Sequence, residues 1–155
     1  MFAAFFEKSI RVLFNWDRFN KEGWKVELSL VEDRRELSNW YVPWYLGQDK
    51  EEINHSAATA QPLLLSDIPE NLIFLNEDRK KLIFALLDSF KVSRQPLQMF
   101  VPVYDLGGQC LLLDGNHRMA ALVLSDTPFK LLTFTVFGPM DSSVLPDLRH
   151  WIKAT

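Results

Sequence analysis

From Leu111 to Leu122 the chain reads Leu-Leu-Leu-Asp-Gly-Asn-His-Arg-Met-Ala-Ala-Leu. A strand-length apolar run meets an Asp-Gly break, and an apolar-periodic stretch follows that opens on Asn-His-Arg. That order predicts a strand, a tight turn and a helix from about Asn116 to Leu124. A helix start leaves backbone N–H groups without partners and carries partial positive charge, so a phosphate or carboxylate is stabilised there. Gly115 lets the backbone come close to a ligand, Arg118 offers a planar fork of donors, and His117 offers a proton or a hydrogen bond. Gly115, Asn116, His117 and Arg118 are therefore the expected anion-binding residues.

At 155 residues, 48% of them apolar, the chain is long enough for one hydrophobic core. Composition excludes a disordered or fibrous class. The net charge of −3 and the scatter of Lys and Arg disfavour duplex nucleic acid as a partner. The two local basic runs, Arg34-Arg35 and Arg79-Lys80-Lys81, read as solvated faces. A single cysteine, Cys110, excludes an intramolecular disulfide and fits a reducing, cytoplasmic setting, with the thiol acting as a small buried hydrophobe. The apolar start from Phe2 to Trp16 is broken by Glu7, Lys8 and Arg11, so neither a signal peptide nor a membrane span is expected.

Phe2, Phe5, Phe6, Ile10 and Leu13 recur at helical spacing, which predicts an amphipathic first helix with Arg11 on its polar side. Trp24 to Val31 alternates apolar with polar and predicts a strand buried on one face. Pro43 and Gly47 predict an aromatic loop over 39–46 carrying Trp40, Tyr41, Trp44 and Tyr45. Those rings could stack on a nucleobase, pack over the core, or form a homodimer or protein-partner contact. Gln48 to Gln61 predicts a mobile connection with one helical turn. Leu63 to Ile68 predicts a short strand ending at Pro69, and Asn76 the cap of a helix whose buried face holds Leu82, Ile83, Leu86, Leu87 and Phe90. Gln98 to Leu113 predicts a β-hairpin, with Pro102 at an edge or a local break. Lys130 to Phe137 predicts a further strand, and Leu145, Leu148, Trp151 and Ile152 a last short helix.

A strand with an aspartate, a capped helix, a Gln-Pro turn, a hairpin, then Asp-Gly-x-His-Arg opening a helix before a closing strand: from Leu63 to Phe137 that order resembles the ParB/sulfiredoxin-like fold. The residues that carry it are Leu65-Ser-Asp-Ile68, Leu87 to Phe90 leading to Gln95-Pro96, Leu106-Gly-Gly-Gln109, and Leu112 to Ala121. The resemblance implies an α+β class with a small mixed sheet and packed helices. It also implies a single domain over 1–155, with an N-terminal extension over 1–61, a core over 62–138 and a C-terminal helix over 139–155.

In that superfamily the turn matching Gly115 to Arg118 holds nucleotide phosphates, which implies ATP, ADP or CTP as ligand, with Mg²⁺. Sulfiredoxins place their catalytic cysteine just before the His-Arg pair, where this chain has Asn116. The partition proteins continue into a DNA-binding helix-turn-helix, for which the residues after Phe137 are too few. The free-serine kinase carries Asp-Gly-His-His-Arg, to which Asp114-Gly-Asn-His-Arg118 is nearer. A small phosphate or nucleotide ligand and a Mg²⁺-dependent phosphotransferase or nucleotide hydrolase are the leading expectations. A non-catalytic interaction module and a ParB-like nuclease are the alternatives.

Each residue also has a plain structural role to set beside this one. Arg118 either faces an anion or forms an internal salt bridge. His117 either orders phosphate, carries a proton, or bonds a nearby loop. Asp114 either caps the helix or holds Mg²⁺ or a substrate hydroxyl. Asp67, with Glu70 as a weaker substitute, is either a base for an acceptor hydroxyl or a turn former before Pro69. His55 and His150 are isolated, and no zinc spacing is present.

Overall fold

The computed structural model describes residues 1–10 and 12–152; Arg11 and the last three residues of the expected C-terminal helix lie outside them. The first helix is short: α1 covers Phe2–Phe6, with α2 at Trp16–Glu22 after an Asn15 cap. Then come β1 (Lys25–Val31), β2 (Trp40–Leu46), β3 (Glu52–Ile53), β4 (Gln61–Leu64), α3 (Ile68–Asn71) and α4 (Glu77–Lys91). The chain closes with β5 (Leu97–Asp105), β6 (Cys110–Leu112), α5 (Asn116–Leu124), β7 (Phe129–Phe137) and a 3-10 turn over Pro146–His150. The result is an α+β arrangement around one mixed sheet of seven strands, ordered β1-β7-β5-β6-β2-β3, with β4 also on β2. β5 pairs parallel with β7 and antiparallel with β6, and β6 in turn runs parallel to β2. Strands from the expected N-terminal extension thus complete the same sheet.

Two apolar clusters fill the two faces. On one, Met99, Val101, Val103, Leu112 and Leu131 meet Ile83 and Phe90 of α4 and Met119 to Leu122 of α5. On the other, Tyr104, Leu111, Phe134 and Val136 meet Phe2, Phe6, Ile10, Phe14, Val144, Leu145 and Leu148. Side chains alternate along β5 and β7, so one ladder feeds both cores.

The aromatic loop expected over 39–46 is instead β2, buried on both faces. Trp40, Val42, Trp44 and Leu46 point into the α4/α5 core, while Tyr41 meets Trp151 edge to face at 5.1 Å. Seven apolar residues in a row are what a strand covered on both sides requires. Pro43, which has no N–H to give the ladder, sits where the pairing with β4 slips between Val42 and Tyr45. Trp40, Trp44 and Tyr45 are buried in this strand and Tyr41 is half-buried, so the exposed aromatic loop expected here is not formed.

Other differences have equally local causes. Residues 48–61 contain β3 and are tied down by Arg149, which donates to the carbonyls of His55 and Ala57. The run at Leu63 ends as a strand at Leu64, so Asp67 lies in a 3-10 turn rather than at a strand end. Arg34 is no solvated charge: it donates to the carbonyls of Leu122 (2.7 Å) and Thr127 (2.5 Å) at the end of α5. Pro102 lies within an interior strand, just past the three-residue ladder with β6 that ends at Val103. Asn76 caps α4 as expected, its side chain accepting from the Arg79 amide at 2.8 Å, but Leu82 is exposed.

β1 is an edge strand, and only Val31 on it is buried. Leu28 and Leu30 lie opposite Phe134 and Leu132; Phe5 of α1 meets Phe100 and Phe134 at 6.3 and 5.8 Å, yet Leu28 and Leu30 stay exposed. Leu131→Ala, which empties a fully buried site on β7, is expected to lower the unfolding free energy by about 2–5 kcal/mol. Leu30→Ala, at a residue 57% exposed, should cost less than about 0.5 kcal/mol. Urea unfolding of the two variants checks this, and equal losses would contradict one-sided cover.

Candidate functional site

β6 ends at Leu112, and Leu113 is tied to β5 by its amide, which donates to the Pro102 carbonyl at 2.9 Å. The chain then turns through Asp114 and Gly115 into α5. Gly115 occupies the left-handed region (φ 79°, ψ 23°) as the residue before the helix, where a side chain would be strained. A Cβ there would also stand 3.2 Å from a terminal nitrogen of Arg118. The guanidinium folds back over the glycine, which is why the turn stays narrow.

Leu113, Asp114, Gly115, Asn116, His117 and Arg118 line a cavity of about 470 Å³. Its opposite wall is Lys8, Ser9 and Val12 from the segment after α1, together with Leu82 of α4. The structure therefore brings the four expected anion-binding residues and Asp114 together. It adds Lys8 and Ser9, whose distance in sequence gave no signal.

α5 has no side-chain cap. Asp114 does not take that role, and the amides of Asn116, His117 and Arg118 find no acceptor among the described residues. Arg118 is half-buried and forms no ion pair or hydrogen bond among the described residues, so the internal salt bridge is not what holds it. The Asn116 side-chain oxygen is buried without a partner. The amides and the guanidinium are thus unclaimed donors among the residues that line the cavity, while the Asn116 oxygen is an unpartnered acceptor buried beside them.

His117 has a neighbourhood that its spacing did not reveal. Its Nε2 lies 3.3 Å from a terminal nitrogen of Arg79, and its ring centroid 5.2 Å from that of Trp44. Arg79 stacks on Trp44 at 4.2 Å and pairs with Glu52 at 2.5 Å, while Asn76 also donates to Glu52. Burial first, and the Arg79 charge second, push His117 below its ordinary value of 6.5.

Asp67 and Glu70 lie outside the cavity lining. The Asp67 carbonyl accepts from the Asn71 side chain at 2.8 Å, and Glu70 is exposed on α3. No group of three His, Cys, Asp or Glu side chains able to hold a metal occurs among the described residues. Asp114 would thus give Mg²⁺ a single protein ligand, which suits an ion that takes most of its shell from phosphate and water. The Cys110 thiol is pushed up to about 11 by burial and stays protonated at neutral pH.

His55 and His150, which sequence left without a role, do not line this cavity; His55 lines a separate one with Trp44, Glu52 and Arg79. His150 Nε2 lies 2.9 Å from the His55 carbonyl, and its ring stacks on Tyr45 at 4.8 Å. The Tyr45 hydroxyl donates to Asp147, which is 5% exposed. Burial lowers His150 as well.

Both imidazoles resist protonation in the fold while their unfolded counterparts titrate near 6.5. The unfolded chain therefore binds more protons just below that pH, and stability falls as the solution is acidified through it. Chemical denaturation at pH 7.5 and 5.5 should show this loss, and His117→Gln should make it smaller. A loss confined to below about pH 4, where carboxylates titrate, would contradict it.

Compared with protein families, with curated proteins and with solved structures, the chain finds no match in any of the three.

Proposed function

We propose that this chain binds the phosphate of a nucleotide, or of a similarly small phosphorylated molecule, in the Asp114–Arg118 cavity. The observation that carries this is the uncapped start of α5. Its first amides, unclaimed among the described residues, open beside a half-buried Arg118 that has no carboxylate, into a space of about 470 Å³. A phosphate there would satisfy amides and guanidinium together, and Lys8 adds a second cation across the cavity. The order of motifs from Leu63 to Phe137, with its likeness to the ParB/sulfiredoxin-like fold, supports the same ligand.

Phosphoryl transfer or nucleotide hydrolysis is the fuller form of the proposal. The amides and Arg118 would stabilise charge that grows on the phosphoryl oxygens. Asp114, close to a bound phosphate, would be repelled unless a cation lay between them, so its role in catalysis is to hold Mg²⁺. Held by Asp114, such an ion would supply neutralisation of the phosphate charge. Asp67 is set aside as the base because it does not line the cavity.

One feature favours the non-catalytic alternative. Leu28, Leu30 and Phe100 leave part of the sheet apolar and open, as interaction surfaces often are.

A thermal-shift panel of ATP, ADP, CTP and inorganic phosphate, with and without Mg²⁺, separates these readings. Binding only to the folded chain stabilises it by about 2.7 kcal/mol at a hundredfold excess over Kd. Arg118→Ala should weaken binding about tenfold or more, since a charge-assisted bidentate contact is lost, and should leave ligand-free stability nearly unchanged. Asp114→Asn should remove any Mg²⁺ dependence. A wild type that no member of the panel shifts would refute the proposal, and Mg²⁺-dependent loss of DNA would favour the nuclease.

A further inference from the structure

His117 is gripped from outside the cavity. Arg79 reaches it from α4, Trp44 from β2, and Glu52 of β3 acts through Arg79. The grip is rigid for physical reasons. The guanidinium carbon sits over the indole, 4.2 Å from its centroid, its Nε is bound to Glu52, and Asn76, the residue that caps α4, also donates to Glu52. Arg79 and Glu52 side chains are only 22% and 14% exposed, so water competes little for this arrangement.

A guanidinium has five N–H donors and no acceptor. At its contact with Arg79, His117 Nε2 must therefore present a lone pair. The proton of the neutral ring then sits on Nδ1, the reverse of the form that free histidine favours. Protonating Nε2 would set two donors and two positive charges against each other. Nδ1 has no partner among the described residues and is not among the buried orphaned atoms, so it is open to solvent. His117 itself lines the cavity.

We propose that Arg79 is a positioning residue: it fixes His117 as a neutral imidazole with its proton on Nδ1, and so as a hydrogen-bond donor to an anionic oxygen in the Asp114–Arg118 cavity. This rests on the phosphate reading above and deepens it, because it removes His117 from proton transfer and places it among the ligand's donors. The ligand it selects is one whose oxygens only accept, such as a phosphate dianion. The charged groups around the imidazole agree. Arg79 faces it from α4 and opposes protonation, Glu52 behind Arg79 partly offsets that, and Lys8, Asp114 and Arg118 share the cavity wall.

The test is ring-nitrogen NMR of the ¹⁵N-histidine-labelled full chain. In the ligand-free wild type, His117 should show the Nδ1–H form, and inorganic phosphate or ADP should shift the Nδ1 signal. In Arg79→Met combined with Glu52→Gln, which avoids an orphaned carboxylate, the ring should move toward Nε2–H and titrate at a higher pH. ADP binding should weaken by about tenfold or more in that variant, and Arg79→Lys, which keeps a donor and a charge, should restore the wild-type tautomer in part. Circular dichroism confirms that each variant is folded. An Nε2–H ring in the wild type, or a tautomer unmoved by the double substitution, overturns the assignment of Arg79 whether or not the cavity binds phosphate. The expected tautomer with no response to phosphate or ADP overturns the ligand half and, with it, the phosphate reading.

Discussion

Everything at the candidate site depends on how firmly the two ends of one turn are held. Leu111, Leu112 and Leu113 are buried on one side of it, and Met119 to Leu122 on the other; Leu112 shares a core with the helix, while Leu111 and Leu113 are fixed in the core on the opposite face of the sheet. The five residues between them cannot follow the chain into either core. They are presented at the surface in a geometry set by packing that lies elsewhere, which is how a short polar segment stays ordered without bonding to itself. The left-handed Gly115 is the hinge that makes this connection short enough.

The same packing explains why the donors stay unspent. A helix start inside a protein usually finds a cap from its own sequence. Here the residue in the capping place has no side chain, and the aspartate before it makes no capping bond to the helix. Arg118 and Lys8 line one cavity with Asp114 as its one carboxylate, and neither cation forms an ion pair among the described residues. The electrostatic demand therefore points outward, and burial first, with the Arg79 charge on α4 second, disfavours the charged form of the half-buried imidazole beside it.

Much of this was legible from spacing alone. The α4 cap, the hairpin at Gly107-Gly108, the helix at Asn116–Leu124 and its glycine turn all depend on neighbours within a few residues, and sequence carries that information directly. What was missed depends on residues far apart. The Arg79–His117 contact spans thirty-eight positions, and the Lys8 wall of the cavity lies over a hundred from Asp114. β2 was misjudged for a different reason: Pro43 and Gly47 suggest irregular structure, but burial on both faces outweighs a local break. The exposed Leu28 and Leu30 mark the opposite case, where alternation was right and the cover it implied was missing.

The N-terminal helix meets its cover late. Phe2 and Phe6 pack on Phe134, at 6.4 and 5.1 Å, and share a cluster with Val144, Leu145 and Leu148. A ribosome adding residues at about 5–20 per second needs on the order of ten seconds to deliver those partners. During that interval Phe2 and Phe6 lack the surface that buries them in the folded chain, so this half of the second core closes only after β7 and the segment at Val144 to Leu148 exist.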